Sequence, residues 1–165
     1  MFLLDTGIVG ELRKAAAGRT DPGLAAWAQA APPRSLFLSA LSLVELESGA
    51  TRLARSDKPA AAAIRAWIEG QVLRAFEGRI LPVDAAVARR AAQIGYASTR
   101  DGLIAATALE HGLTLVTRDA AAFRAGRVRL LDPWGWRPEE RDEDGDWRLA
   151  VRTGPLWLKN LFVRG

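Results

Sequence analysis

The chain has 165 residues, of which 49% are hydrophobic and 25% charged, a balance that is ordinary for one soluble globular domain. It holds no cysteine and one histidine, which excludes disulfides, thiolate chemistry, cysteine-bound zinc and zinc sites built from several histidines. No apolar run approaches the ~18 residues of a membrane span, and no basic leader precedes the first apolar run. We therefore expect a cytoplasmic protein with no membrane partner.

The sequence contains none of the short motifs that cradle phosphates or activate a serine. It has no Walker loop, no Gly-x-Gly-x-x-Gly and no Gly-x-Ser-x-Gly. Chemistry must therefore rest on carboxylates, hydroxyls, lysines, arginines or a metal ion held by oxygen. The net charge of +4 is compatible with a nucleic-acid partner, although many arginine-rich chains share such a charge.

The first dozen residues predict a strand that leads directly into a helix. Residues 2–4 form a short apolar run, as in a strand buried on both faces, and the apolar residues that follow fit a helical period. Asp5 lies at the junction, where ligands bind in open α/β sheets. An acid there is well placed to hold a metal ion. The alternative is that Asp5 or Thr6 only caps the helix.

Short apolar runs alternate with helical patterns along the rest of the chain. Four further strands are predicted, at residues 35–38, 79–83, 113–116 and 128–131. Ser39 is a candidate N-cap for a long helix, residues 103–109 predict a buried helix, and a short helix is predicted after Asp119. This alternation is typical of an α/β protein with a central, mainly parallel sheet of about five short strands and helices on both faces.

Four acidic positions fall where a parallel sheet would bring them together. Asp5 follows the first strand and Asp119 follows the fourth. Asp101 begins the buried helix, and Glu45 or Glu47 lies one or two turns into the long helix. Converging carboxylates repel each other unless a hard divalent cation lies between them. Such a site can activate a water molecule and neutralise charge on a phosphodiester.

Each acid also has a purely structural explanation. Asp5, Asp101 and Asp119 can cap the helices that follow them. Glu45 can close a capping box with Ser42, or simply face solvent. A cap is the more common role for any one of these residues, and it is their joint placement that favours a site.

Four motifs resemble those of a known family and occur in its order: Leu3-Leu4-Asp5-Thr6, Ser39 through Glu45-Leu46 with Gly49, Asp101-Gly102-Leu103-Ile104-Ala105-Ala106-Thr107-Ala108, and Leu115-Val116-Thr117-Arg118-Asp119 with Phe123. The chain resembles the PIN domain family, and within it the VapC/FitB-like ribonuclease toxins of toxin–antitoxin modules. The resemblance covers residues 1–134. It implies a three-layer α/β/α fold and an endoribonuclease that depends on Mg²⁺ or Mn²⁺. It also implies an RNA substrate, a homodimer and a cognate antitoxin.

The resemblance also assigns roles to individual residues. Carried over by motif, the catalytic, metal-binding acids are Asp5, Glu45, Asp101 and Asp119. The family pattern selects Glu45 over Glu47, with Asp5 and Asp101 as the firmest ligands and Asp119 at a second ion or a bound water. Supporting roles in orienting acids or waters fall to Thr6 and Thr117. Candidate phosphate contacts, each with an alternative role as an ordinary surface residue, are Arg13, Lys14 and Arg118.

Two positions depart from the family pattern. Gly7 stands where relatives often have asparagine, and Ala122 stands where many carry an acid. An alternative function is therefore a catalytically weakened PIN-fold protein that acts through antitoxin binding. A structure-specific DNA nuclease is a third hypothesis, although it would normally need more acids and a longer chain.

The C-terminal part of the chain differs in composition from the rest. Four of the six tryptophans lie from Trp134 onward, and a highly charged stretch covers residues 139–146. This stretch is predicted to be a solvated loop rather than a metal loop, because the spacing of a calcium loop is incomplete. Residues 156–158 and 161–163 are candidate strands or docking segments. We therefore divide the chain into a PIN domain at 1–134 and an extension of unknown role at 135–165.

Overall fold

The computed structural model describes residues 1–15 and 18–138, so the charged stretch and the candidate strands near the C-terminus lie outside the described residues. Five strands form one sheet: β1 (Phe2–Leu4), β2 (Leu36–Ser39), β3 (Ile80–Leu81), β4 (Thr114–Val116) and β5 (Leu130–Leu131). Their spatial order is β3-β2-β1-β4-β5, and every neighbouring pair is parallel. The predicted parallel sheet is thereby confirmed, with β1 at its centre.

Helices fill the connections from β1 to β2, from β2 to β3 and from β3 to β4, as is usual between parallel strands. They are α1 (Thr6–Ala15), α2 (Pro22–Ala30), α3 (Ala40–Leu53), α4 (Lys58–Trp67), α5 (Leu73–Ala75), α6 (Ala85–Ile94) and α7 (Thr99–Glu110). A π-helical turn over Ile68–Val72 joins α4 to α5, and 3₁₀ turns cover Pro33–Ser35 and Arg124–Gly126. In the part of the chain that the structure describes, no helix is both long and apolar enough to cross a membrane.

The core consists of two apolar layers, one on each face of the sheet. Leu4 points to one face and packs with side chains from α1, α2 and α4, whereas Leu3 points to the other and packs with side chains from α7. Both leucines are fully buried. Successive side chains of a strand point to opposite faces, so a short apolar run such as β1 needs helices on both sides. The described chain is therefore a three-layer α/β/α structure.

The predicted helix after Asp119 is wrong. Residues 120–123 form turns, and only the 3₁₀ turn Arg124–Gly126 follows them. The hydroxyl of Tyr96 donates to the carbonyl of Phe123 (2.7 Å) and accepts from the amide of Gly126 (3.0 Å). These two bonds hold both groups against Tyr96, outside an α-helical hydrogen-bond ladder. The third and fifth strands are also shorter than predicted, at two residues each.

Candidate active site

Asp5 lies directly after the central strand, at the carboxyl edge of the sheet. Its amide donates to the carbonyl of Val116 (3.0 Å), so backbone pairing with β4 extends to Asp5. The amides of Ile8 (2.9 Å) and Val9 (3.4 Å) in α1 donate to the backbone carbonyl of Asp5. Oδ2 of that carboxylate accepts from the hydroxyl of Thr117 (2.9 Å), and the side chain is only 11% exposed. The side chain of Asp5 thus faces the edge of the sheet and does not cap the helix.

Glu45 reaches the same edge from the second turn of α3. That helix is capped by Ser39, whose Oγ accepts from the amide of Leu41 (3.2 Å). Ser42 therefore lies inside the helix and cannot form the N-cap of a capping box with Glu45. The Glu45 carboxylate instead accepts a hydrogen bond from the hydroxyl of Thr6. Glu47, two residues on, is rotated by about 200° around the helix axis and points away from Thr6.

Asp101 lies in the first turn of α7 but does not cap it. The N-cap is Ser98, whose Oγ accepts from the amide of Asp101 (3.2 Å). The carboxylate of Asp101 is therefore free to turn towards the sheet edge. An acid in the first turn also interacts favourably with the positive end of the helix dipole.

Asp119 follows β4, the strand next to β1, but its side chain makes different contacts from those of Asp5, Glu45 and Asp101. Its amide donates to Oγ1 of Thr117 (3.1 Å), the same hydroxyl that bonds Asp5. Its own Oδ1 accepts from the amide of Ala122 (3.2 Å), and the residue is exposed. The side chain of Asp119 caps the turn that follows it, which is the structural role that the sequence left open.

One guanidinium joins the other three acids. Arg100 donates from Nη2 to Asp5 Oδ1 (2.5 Å), from Nε to Glu45 Oε1 (2.7 Å) and from Nη1 to Asp101 Oδ1 (2.7 Å). Burial lowers the pKa of Arg100, but the hydrogen bonds that it donates to Glu45 and Asp101 and the charge of Asp5 outweigh burial and raise that pKa above its ordinary value. The guanidinium is therefore fully charged at any physiological pH, and it partly neutralises the acids.

The donor set at this edge has the chemistry that a hard divalent cation requires. Asp5, Glu45 and Asp101 supply carboxylate oxygens from three separate elements, and such oxygens are the preferred ligands of Mg²⁺ and Mn²⁺. Within the described ranges, however, no three acidic or histidine side chains are close enough to ligate one ion as they stand. The carboxylates are spaced around a guanidinium. The residues therefore have the donor chemistry of a cation site, but their present spacing accommodates a guanidinium.

Comparison with known proteins places this geometry in a family. Residues 2–128 match the PIN domain. The chain belongs to the PIN domain family. The VapC ribonuclease Y4jK of Sinorhizobium fredii is 35% identical over 142 residues, which cover 81% of this chain and 98% of that protein. Toxin FitB of Neisseria gonorrhoeae is 38% identical over 142 residues, which cover 81% of this chain and 99% of that toxin.

Solved structures agree with this assignment. The crystal structure of FitAcB from Neisseria gonorrhoeae has a TM-score of 0.73 at 34% identity and covers 81% of this chain and 99% of its own. A toxin–antitoxin complex from Klebsiella pneumoniae has a TM-score of 0.55 at 25% identity and covers 81% of this chain and 98% of its own. The PIN fold that the sequence motifs predict is thereby confirmed.

The predicted phosphate contacts of this PIN domain have other partners in the structure. Arg13 lies over the ring of Trp67, 5.6 Å from its centroid, and Lys14 bonds Glu11 at 2.6 Å. Both lie about 10 Å along α1 from its first residue, at the end remote from the acids. Arg118 directly follows Thr117 and lies 5.1 Å from the centroid of Trp134. Of the three, Arg118 is the one beside the acidic edge, and their roles towards RNA stay predictions.

The two departures from the family pattern lie close in sequence to Asp5 and Asp119. Gly7 is exposed, and no atom lies within 4 Å of the position that its Cβ would take. A larger side chain would therefore fit there, so the glycine is not required by packing. Ala122 packs partly against the apolar layer beneath α7, while its amide binds Asp119.

Arg100 is the residue that sequence reasoning missed in this PIN domain. Its only signal is its position directly before Asp101, at the start of a helix that delivers an acid to the site. Three partly buried carboxylates require a counter-charge, and an adjacent arginine is long enough to supply it. The need for a cationic side chain beside the acids, together with its position next to Asp101, is the signal that indicates Arg100.

Proposed function

We propose that this chain is a metal-dependent endoribonuclease and the toxin of a toxin–antitoxin module. The observation that carries the proposal is the convergence of the Asp5, Glu45 and Asp101 carboxylates at the carboxyl edge of a PIN-fold sheet. The names of its relatives, a VapC ribonuclease and a FitB toxin, supply the substrate class and the biological setting. Within the same proposal the protein acts in the cytoplasm on RNA, as a homodimer, and is neutralised by a cognate antitoxin.

In this mechanism Asp5, Glu45 and Asp101 would hold a divalent cation, Mg²⁺ or Mn²⁺, and Asp119 would help to hold a second ion or a bound water. The bound ion would supply an activated water and charge neutralisation on the phosphodiester. The chain's own contribution is orientation. Thr117 fixes Oδ2 of Asp5 by its hydroxyl, and Thr6 does the same for Glu45. Such outer partners of metal ligands typically matter ~10–100-fold for affinity or activity.

A cationic residue next to the acids would bind the substrate backbone. Arg118 is exposed and follows Thr117 at the end of β4. An arginine there can form paired hydrogen bonds with a phosphate, which adds geometric specificity to the charge interaction. In this proposal Arg118 contacts the RNA backbone, and other surfaces of the protein determine which RNA sequence is cleaved.

The proposal is tested by cleavage of a mixed RNA pool with Mg²⁺, with Mn²⁺ and with EDTA. The wild type should cleave only with metal, and Asp5→Asn should lose activity by more than the ~100-fold that an outer partner of a metal ligand accounts for. The matched control is Asp57→Asn, because Asp57 caps α4 and asparagine caps a helix equally well. Cleavage by Asp5→Asn at the wild-type rate would remove Asp5 from the mechanism.

The alternative of a catalytically weakened PIN-fold protein draws support from Gly7 and from the arginine among the acids. It differs from the main proposal in its expected response to metal. A melting temperature that does not change with divalent cations, together with no cleavage by folded protein free of antitoxin, would favour a binding role. A melting temperature that rises with Mn²⁺ favours the enzyme.

A further inference from the structure

We propose that Arg100 is a built-in counterion that occupies the cation position of the acidic site and competes with the divalent metal for it. The inference rests on the proposed function only in taking Asp5, Glu45 and Asp101 as the metal-binding acids. It assigns Arg100 a role in determining metal affinity, and it predicts that the ion enters by displacing a side chain of the protein itself.

The first support is the way the guanidinium uses its donors. Arg100 makes four hydrogen bonds to three carboxylates, including a paired contact with Glu45 through Nε (2.7 Å) and Nη2 (3.2 Å). Isolated ion pairs on a protein surface add little to stability. Here a planar fork is matched to acids from three elements, which is the arrangement that favours arginine over lysine. Arg100 is therefore an integral part of the acidic cluster.

The second support is the overlap between the two cations. The oxygens that face the guanidinium are those of Asp5, Glu45 and Asp101, which are also the hard ligands available to a metal at this edge. Mg²⁺ binds oxygen at ~2.0–2.1 Å and demands near-ideal geometry. Guanidinium nitrogens lie 2.5–2.7 Å from one oxygen of each of these carboxylates, in the space between the three acids that a shared ion would take. Two cations in that space repel each other, so Arg100 competes with any ion that all three acids bind.

The third support is that two of the three acids have hydrogen-bond partners besides Arg100. Asp5 keeps its bond from Thr117, and Glu45 keeps its bond from Thr6. Neither contact involves the guanidinium. Arg100 itself is one-third exposed, at 33%, against 11% for Asp5, so it has a path outward to solvent. Both threonine bonds can therefore be kept while the carboxylates move from their positions around the guanidinium to closer positions around a smaller ion.

Charge balance explains why such an exchange would be favourable. Three carboxylates carry three negative charges, and Arg100 neutralises one of them. A divalent ion in the same place neutralises two and leaves the guanidinium free to pair with a phosphate nearby. The same balance predicts that wild-type metal affinity is weaker than the carboxylates alone would give, because each binding event must break the Arg100 contacts.

The test compares Mn²⁺ binding by full-length wild type, Arg100→Met and Arg90→Met, using calorimetry and the Mn²⁺ electron paramagnetic resonance signal at fixed pH and salt. Methionine keeps an unbranched apolar stem and removes the charge. Arg100→Met should bind Mn²⁺ at least ~10-fold tighter than wild type, and its melting temperature should rise more on adding Mn²⁺. Arg90→Met is the matched control, since Arg90 pairs with Glu110 (2.5 Å) on α7 and touches none of the site acids.

The outcomes separate this inference from the proposed function. Equal or weaker Mn²⁺ binding by Arg100→Met than by wild type would overturn the role of Arg100 and leave the enzyme proposal standing. No Mn²⁺ binding by either protein would overturn both. Arg100→Lys covers the case in which the methionine variant does not fold, because lysine keeps the charge but lacks the fork. Its Mn²⁺ affinity should exceed that of wild type, and an unchanged affinity would contradict the inference.

Discussion

Thr117 connects two of the acids through one hydroxyl. Its Oγ1 donates to Asp5 and accepts from the amide of Asp119, and the residue is 1% exposed. Because both partners lie on segments that follow different strands, this hydroxyl fixes the end of β1 against the end of β4. A β-branched residue is also stiff at χ1, so the hydroxyl has few other positions to take.

Substitution of Thr117 should therefore affect both stability and activity. Thr117→Val keeps the shape but leaves a carboxylate oxygen of Asp5 without its buried donor, which should lower the free energy of unfolding by ~1–3 kcal/mol. RNA cleavage should fall ~10–100-fold. Urea unfolding and initial cleavage rates measure the two effects, and Thr117→Ser should restore much of both.

Thr107 provides the matched control for that substitution. It is fully buried in α7, and its hydroxyl donates to the carbonyl of Leu103 (2.8 Å) within the same helix. Thr107→Val should therefore leave RNA cleavage close to that of wild type. If both valine variants lost activity to the same degree, the effect would come from buried threonines in general and not from the bond to Asp5.

The sequence predicts the acids better than it predicts their contacts. Asp5 follows a strand and Asp101 begins a helix, so the backbone alone brings them to the same edge of a parallel sheet. Arg100 has a long side chain whose end is set by the tertiary fold, and no local pattern indicates where it points. For Asp119 the sequence cannot distinguish two roles, because an aspartate directly after a strand can equally cap the next turn or bind a metal ion.

At the level of elements, a side chain that follows α6 anchors the segment after β4. Tyr96 is the only tyrosine in the chain. Its hydroxyl binds Phe123 and Gly126, and a Cβ on Gly126 would lie 2.6 Å from that hydroxyl oxygen. Burial raises the pKa of Tyr96, so it is a neutral donor under ordinary conditions. This contact explains why the predicted helix after Asp119 does not form. It joins residues that are 27 positions apart in the sequence, so no local sequence pattern indicates it.

Removal of the Tyr96 hydroxyl should loosen this segment without unfolding the protein. Tyr96→Phe keeps the edge-on ring contact with Phe123, at 6.3 Å between centroids, and loses both hydrogen bonds. The free energy of unfolding should fall by ~1–3 kcal/mol. Hydrogen exchange at the Gly126 amide should become faster, while exchange in the α7 helix should not. Unchanged protection of Gly126 would contradict the anchoring role.

At the scale of the whole molecule, the boundary between domain and extension is a question of packing. The match to the PIN domain covers residues 2–128, yet the described chain continues to residue 138 in contact with α2. Asp21 accepts from the amide of Gly135 (3.2 Å), and Trp136 packs against the apolar layer on that face. A Cβ on Gly23 would lie 2.4 Å from the backbone nitrogen of Trp136, so only glycine permits this approach. The folded unit therefore includes these residues, and the division at 134/135 stays a prediction.

Two truncations should locate the functional end of the fold. A chain that ends at residue 138 should melt within a few degrees of the full-length protein, because every contact of Trp134 and Trp136 with the core is kept. A chain that ends at residue 132 loses two partly buried indoles, worth about 2–4 kcal/mol together, which corresponds to a melting temperature lower by roughly 5–15 °C. The shorter chain also removes the ring beneath Arg118, so RNA binding should weaken along with stability. Equal melting temperatures for the two truncated chains would mean that Trp134 and Trp136 add no stability to the core. The folded unit would then end at β5.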